Sequence, residues 1–196
     1  GTLGVGAVAV SLPIQILMFS VAMSMGIGFA SIISRALGSD QTLRAQKALG
    51  NFFILSIVLS LLFTLVGFLF LNDILLLFGS TPEVLPYAHD YMSVLFAGVI
   101  FLSIAAGSNH LIRAQGKAKF AMTIMISSAL INTFFDYIFI SVMGYGMKGA
   151  ALATVIAQVI SSALAIYFFL SKKGEIQMCA KCFRLDFSLV RESFAI

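Results

Sequence analysis

The chain reads as long apolar stretches parted by short segments that gather nearly all of its charge. The run from Phe52 to Phe70 is apolar almost throughout, whereas a strand of a membrane barrel would alternate apolar and polar positions over about ten residues. A helix crosses the hydrocarbon core with about 20 consecutive apolar residues. Five stretches meet that length, at 6–34, 46–71, 90–112, 119–142 and 149–170. The pattern predicts an all-α, polytopic transmembrane helix bundle of five spans within residues 1–170. Residues 171–196, basic and mildly amphipathic, suit a linker on the cytoplasmic surface. Pro13 falls near the start of the first span, where neighbouring groups can satisfy the carbonyl it frees. The segment Asn72–Asp90 is the long connection, and Thr81-Pro82-Glu83 within it reads as a turn or helix start.

Composition points the same way. Hydrophobic residues make up 60% of the chain and charged residues 10%, where a soluble domain carries about 25% charged. The mean hydropathy is +1.06. A net charge of +4 raises nucleic acid as a partner, but the basic residues are scattered between apolar runs and form no single stripe. The partner they indicate is the lipid bilayer, because their positions define a topology. Arg35, Arg44 and Lys47 follow the first span, Arg113, Lys117 and Lys119 the third, and Lys172, Lys173, Lys181, Arg184 and Arg191 the fifth. The intervening connections hold Asp73, Glu83 and Asp90 on one side and Lys148 on the other. Basic residues concentrate in cytoplasmic loops, so the first span is expected to run from outside to inside. No Met or basic leader precedes Gly1, and apolar character returns at Phe194-Ala195-Ile196. The chain is therefore expected to be a fragment, with one preceding helix the simplest completion.

Asp136 is the formally charged side chain that lies well inside a span. A carboxylate at the centre of a membrane helix costs about 2.5–3.5 kcal/mol on insertion scales, and intramembrane acids usually mark ion or substrate paths. Asn132 stands one turn before it and Ser128 one turn before that, so the three share a helix face. The fourth and fifth spans form a hairpin through Gly144-Tyr145-Gly146. Counting outward from Tyr145 at equal rise places Asp136 at the depth of Thr154, and Asn132 at the depth of Gln158. A carboxylate, an amide oxygen and a hydroxyl are hard ligands suited to a small cation, and the carboxylate alone could take up a proton. Asn, Gln, Ser and Thr also hold membrane helices together, so a packing role stands beside the ligand role for Asn132, Thr154 and Gln158.

The words Ile33-Ser34-Arg35-Ala36-Leu37-Gly38, Leu111-Ile112-Arg113-Ala114-Gln115-Gly116, Asn132-Thr133-Phe134-Phe135-Asp136-Tyr137 and Gly149-Ala150-Ala151-Leu152-Ala153-Thr154 resemble, in order and over nearly the whole chain, the multidrug and toxic compound extrusion (MATE) family. The resemblance implies a twelve-helix, two-lobe transporter of which this chain provides helices two to six of the first lobe. The first helix and the second six-helix lobe would then lie outside the chain. It implies secondary active export of small, drug-like organic compounds, often cationic, by antiport against Na⁺ or H⁺ in a prokaryotic plasma (inner) membrane, with no cofactor and no enzymatic activity. It further implies a coupling-ion site at Asp136, Asn132 and Thr154, completed by an Asp on the absent first helix, with Gln158, Ser128 and Tyr137 as neighbours of that site.

Other motifs carry less. Gly144-Tyr145-Gly146-Met147-Lys148-Gly149 spells a dinucleotide fingerprint but follows a membrane helix, not a strand, and reads as a tight turn with close helix packing. Cys179-Ala180-Lys181-Cys182 is a single C-x-x-C, short of the four ligands of a zinc site. His89 reads as an outer interfacial residue, and His110 as a polar group near the cytoplasmic end of its helix. Arg35 and Arg113 read as helix-end anchors that snorkel to the surface. The rival functions are a flippase for lipid-linked oligosaccharides, which would need a basic central cavity, and a structural membrane subunit, which leaves Asp136 unexplained. An intramembrane enzyme is disfavoured, since neither H-E-x-x-H nor G-x-S-x-G occurs and a lone acid forms no protease dyad.

Overall fold

A computed structural model describes residues 2–171, 174–178, 182 and 185–194. Lys172, Lys173, Cys179, Lys181 and Arg184, which enter the expected basic linker, lie outside the described residues. Five helices are long and apolar enough to cross a membrane: α1 (Thr2–Gly38), α2 (Thr42–Leu69), α4 (Leu85–Ala114), α5 (Ala118–Asp136, prolonged by a π-helical turn over Tyr137–Val142) and α6 (Gly146–Leu170). Two short helices accompany them, α3 (Leu71–Leu77) and α7 (Phe187–Phe194). Most ends of the long helices overrun the apolar stretches by a few residues, because charged and polar turns continue the backbone hydrogen bonding. α1 has 37 residues, about 55 Å at the helical rise, and so extends beyond the apolar layer.

The expected long connection is more ordered than its composition suggests. α3 occupies its first part, and Thr81 starts the next turn by accepting hydrogen bonds from the amides of Val84 (3.0 Å) and Leu85 (2.9 Å). Pro86 falls in the first turn of α4, where its missing N–H would have had no helical partner. α4 is the central helix and packs on α1, α2, α5 and α6. Its crossing with α1 runs through Gly26 and Gly107. A Cβ added to Gly26 would come within 2.6 Å of the Gly107 Cα, so the two backbones meet with no side chain between them.

Apolar packing gathers at the two ends of the bundle. At the end carrying Arg35 and Arg113, called here the basic end, Phe29, Phe52, Phe53, Phe168 and Phe169 form a chain of edge-to-face contacts with centroids 5.3–6.2 Å apart. Such geometry favours the ring quadrupoles. At the opposite end Ile14, Met18, Leu75, Met92 and Phe96 form a second cluster. α5 joins the basic-end cluster through Ala121 and Ile124 near its start and takes no part in the other. It packs on α6 and lightly on α4, and much of its surface is open.

The hairpin joining α5 to α6 turns at Gly144 (φ 68°), a left-handed conformation that side chains other than glycine adopt at a cost. Before it, the Met143 amide donates to Ile138 O at 2.9 Å, a five-residue step, and the Tyr145 amide to Phe139 O at 2.9 Å. Phe135, Phe139 and Tyr145 stack in succession at 5.4 and 6.1 Å. Gly149 packs so closely on Phe139 that an added Cβ would lie 3.0 Å from the phenylalanine Cβ, which agrees with the turn-and-packing expectation for this glycine-rich segment.

α7 is strapped onto the basic end. Glu192 receives one guanidinium from each of two helices, Arg35 on α1 (3.0 Å) and Arg44 on α2 (2.8 Å). The buried Asn51 accepts from the Asp186 amide at 2.7 Å, and Gln115 accepts from the Ile176 amide at 3.1 Å.

Candidate cation site and adjoining cavity

Asn132 of α5 and Thr154 of α6 meet across the hairpin. The Asn132 Nδ2 donates to Thr154 Oγ1 at 3.4 Å, while that hydroxyl gives its own proton to Ala150 O at 3.0 Å. Two consequences follow for the free lone pairs. Thr154 Oγ1 is held as an acceptor, and the Asn132 carbonyl oxygen forms no hydrogen bond among the described residues. One turn away, Ser128 Oγ reaches Ala157 O at 3.5 Å. The stripe Ser128, Asn132, Asp136 thus borders α6 at its first two members, and Asp136 is its half-buried last member.

The register across the hairpin departs from simple counting. Equal rise on both arms pairs Asp136 with Thr154 and Asn132 with Gln158, whereas the structure brings Asn132 to Thr154. The π-helical turn is the cause. Each of its turns takes more residues than an α-turn and advances less per residue, so the α5 arm needs extra residues to reach a given depth. Gln158, released from that pairing, lines two cavities instead. Tyr137 is 65% exposed and lines neither of them.

The sequence did not single out Tyr91, which stands near Asp136, or its partner Gln15. Tyr91 of α4 is buried and donates its hydroxyl to Gln15 Oε1 of α1 at 3.4 Å, and the phenol lies within electrostatic reach of the Asp136 carboxylate. The Gln15 Nε2 is buried with no partner. Asp136 itself makes no hydrogen bond or ion pair among the described residues. Among those residues no three His, Cys, Asp or Glu side chains come together. The stripe leaves one carboxylate a helical turn from the Asn132–Thr154 pair, oxygen groups of the kind that suit a hard monovalent cation or a proton.

Beside this group a cavity of about 560 Å³ opens between α1, α4, α5 and α6. Phe19, Met23, Leu102 and Met125 supply much of its apolar wall, and Asn132, Thr154 and Gln158 add polar groups to it. At the basic end Asn109, His110 and Arg113 line it. Arg113 is exposed in the last turn of α4, as a helix-end anchor is expected to be, and its Nη2 rests 3.2 Å from Met125 Sδ on α5 at the edge of the cavity. A smaller cavity of about 270 Å³ joins Gln15 and Leu95 to Thr154 and Gln158.

Five membrane-length helices, a carboxylate within one of them and a drug-sized cavity between four of them define an integral membrane helix bundle. The family model described as MatE matches residues 1–138, and the chain belongs to the MATE family. It is 26% identical over 184 residues to a protein named FAD transporter from Shewanella oneidensis, covering 92% of this chain and 41% of that one. It is 29% identical over 174 residues to the probable multidrug resistance protein YpnP of Bacillus subtilis, covering 88% and 39%. A solved structure of the MATE multidrug transporter DinF-BH superposes with a TM-score of 0.89 at 34% identity, covering 100% of this chain and 46% of that one. The chain spans less than half the length of these relatives.

Proposed function

We propose that residues 1–170 are helices two to six of the first lobe of a secondary active exporter, with 171–196 leading toward its second lobe. The basic end faces the cytoplasm of a prokaryotic cell, and export of small organic compounds is driven by inward Na⁺ or H⁺. The observation that carries this is the Asn132–Thr154 contact beside the otherwise unpartnered Asp136. Proton uptake would neutralise the carboxylate, and a bound Na⁺ would balance its charge using the free oxygens of Asn132 and Thr154. Either ion lowers the cost of the charge in the apolar layer. That difference gives the lobe two states of differing free energy, which rocking of two repeats around a midplane site requires. Relatives named for multidrug export and for FAD transport share this scaffold, so membership of the family leaves the class of cargo open.

The test is accumulation of a panel of cationic and anionic fluorescent amphiphiles in cells expressing the full-length gene. At least one dye is expected to accumulate several-fold less than in vector controls, with the difference abolished by collapsing the ion gradients. Unchanged accumulation of every dye would sink the exporter reading. Residues 1–196 expressed alone are expected to leave accumulation at the control level, since alternating access needs both repeats. The orientation is checked separately by single cysteines in place of Asp40 and Glu83, in a background without Cys179 and Cys182. An impermeant thiol reagent should label the second in intact cells and the first only after permeabilisation. Labelling of both from one side contradicts the topology.

A further inference from the structure

The cavity carries a charge opposite to the one expected for a receptor of organic cations. Its lining contains no Asp or Glu, and Arg113 is the ionised side chain along it. Among the described residues Arg35 and Arg44 both close on Glu192 and Lys148 reaches Asp90 at 3.0 Å, while Lys47, Lys117, Lys119 and Arg191, which form no ion pair among them, line no part of this cavity. Arg113 has none among the described residues. Its contact is the Met125 thioether, a weak acceptor that leaves most of the five guanidinium donors unused. The guanidinium is planar and matches carboxylate, sulfonate or phosphate oxygens in pairs. His110, one turn earlier on α4, lines the same side of the cavity. Arg113 is exposed at the mouth of the cavity, so an organic cation entering at this end would meet its positive charge partly screened by water.

We propose that this cavity is a binding site for small organic anions with an apolar body. The anionic group sits on Arg113 at the basic end, and the body lies among Phe19, Met23, Leu102 and Met125. A volume of about 560 Å³ falls within the range of sites for drug-sized ligands, about 300–1,000 Å³. The inference rests on the exporter reading for what the site is for, and it narrows the cargo to amphiphilic anions. Asp136 is not among the lining residues, so the coupling carboxylate and the cargo's negative group would occupy separate places.

The test uses two probes that share an aromatic scaffold and differ in charge, anilinonaphthalene sulfonate and neutral phenylnaphthylamine. Saturable binding of each to the purified full-length protein is measured in nanodiscs of phosphatidylcholine, with empty nanodiscs subtracted. The unaltered protein is expected to favour the sulfonate. Arg113→Gln should lower the ratio of sulfonate to neutral affinity about tenfold, the loss expected from removing one charge-assisted hydrogen-bonded pair, and Arg113→Lys should lower it less. Raising the salt concentration should lower the same ratio in the unaltered protein, an outcome that needs no variant to insert. Equal ratios in the unaltered protein and Arg113→Gln, or no response to salt, overturn the proposal. So does loss of sulfonate binding when phosphatidylglycerol replaces part of the phosphatidylcholine, because the occupant of Arg113 is then a lipid headgroup. Binding is read without an ion gradient, so dye export without charge selectivity defeats this inference alone. Selective binding without export defeats the exporter reading.

Discussion

In the full-length protein, Asp136→Asn is expected to reduce gradient-driven efflux to the level of vector controls while the protein still inserts and folds. The substitution keeps the side chain's shape and removes its ionisable oxygen. Asp136 makes no hydrogen bond or ion pair among the described residues, so no partner is orphaned by the change. An uncharged amide also costs less than a carboxylate at this depth, so expression should hold or rise. What is lost is the one group in the stripe that can exchange a proton or balance a cation. Efflux is measured as ethidium or anilinonaphthalene sulfonate extrusion from energised cells at matched protein levels. Extrusion at the parental rate by a correctly inserted variant would make Asp136 a packing residue and remove the site.

The second large effect is structural. Gly26→Leu should lower the apparent Tm of the full-length protein in detergent by about 1–3 °C, for an overpacking cost of about 1–3 kcal/mol set against the large unfolding entropy of a chain of that size. The new Cβ would lie 2.6 Å from the Gly107 Cα and 3.1 Å from its carbonyl oxygen. Both are backbone atoms and cannot rotate aside, so α1 and α4 must separate, and α4 is the helix on which the other spans pack. Gly38→Ala is the control. Nothing lies within 4 Å of an added Cβ there, and Ala suits a helix better than Gly, so its Tm should be equal or slightly higher. Equal Tm values for the two variants would show that the α1–α4 crossing is looser than described.

The spans were legible because each apolar run exceeds the length a bilayer demands, and loop charge separated one from the next. Asp136 and Asn132 were legible for a related reason: a polar group has no cheap place in an apolar helix. Tyr91 and Gln15 were not, although they come together at 3.4 Å. Tyr91 follows Asp90 at what looks like a span edge, where tyrosine is ordinary, but α4 begins at Leu85 and so carries Tyr91 into a buried position. Gln15 was a visible signal, a lone amide in a stretch without charge, and its partner could be found only from the packing of α1 on α4. The direction of Arg113 was hidden for the same reason. Sequence locates it at a helix end but does not tell whether the guanidinium snorkels outward or crosses to Met125 of α5.

The π-helical turn after Asp136 has a consequence for angular phase. An α-helix advances about 100° per residue, so a change of one residue in hydrogen-bond step over Tyr137–Val142 amounts to about that much rotation of Asp136 relative to the hairpin. The stacked rings of Phe139 and Tyr145 fix the hairpin side, and the Asn132–Thr154 contact fixes the face that α5 turns toward α6. The wide turn thus works as a phase shifter: it sets the azimuth of the carboxylate apart from the seating of the loop.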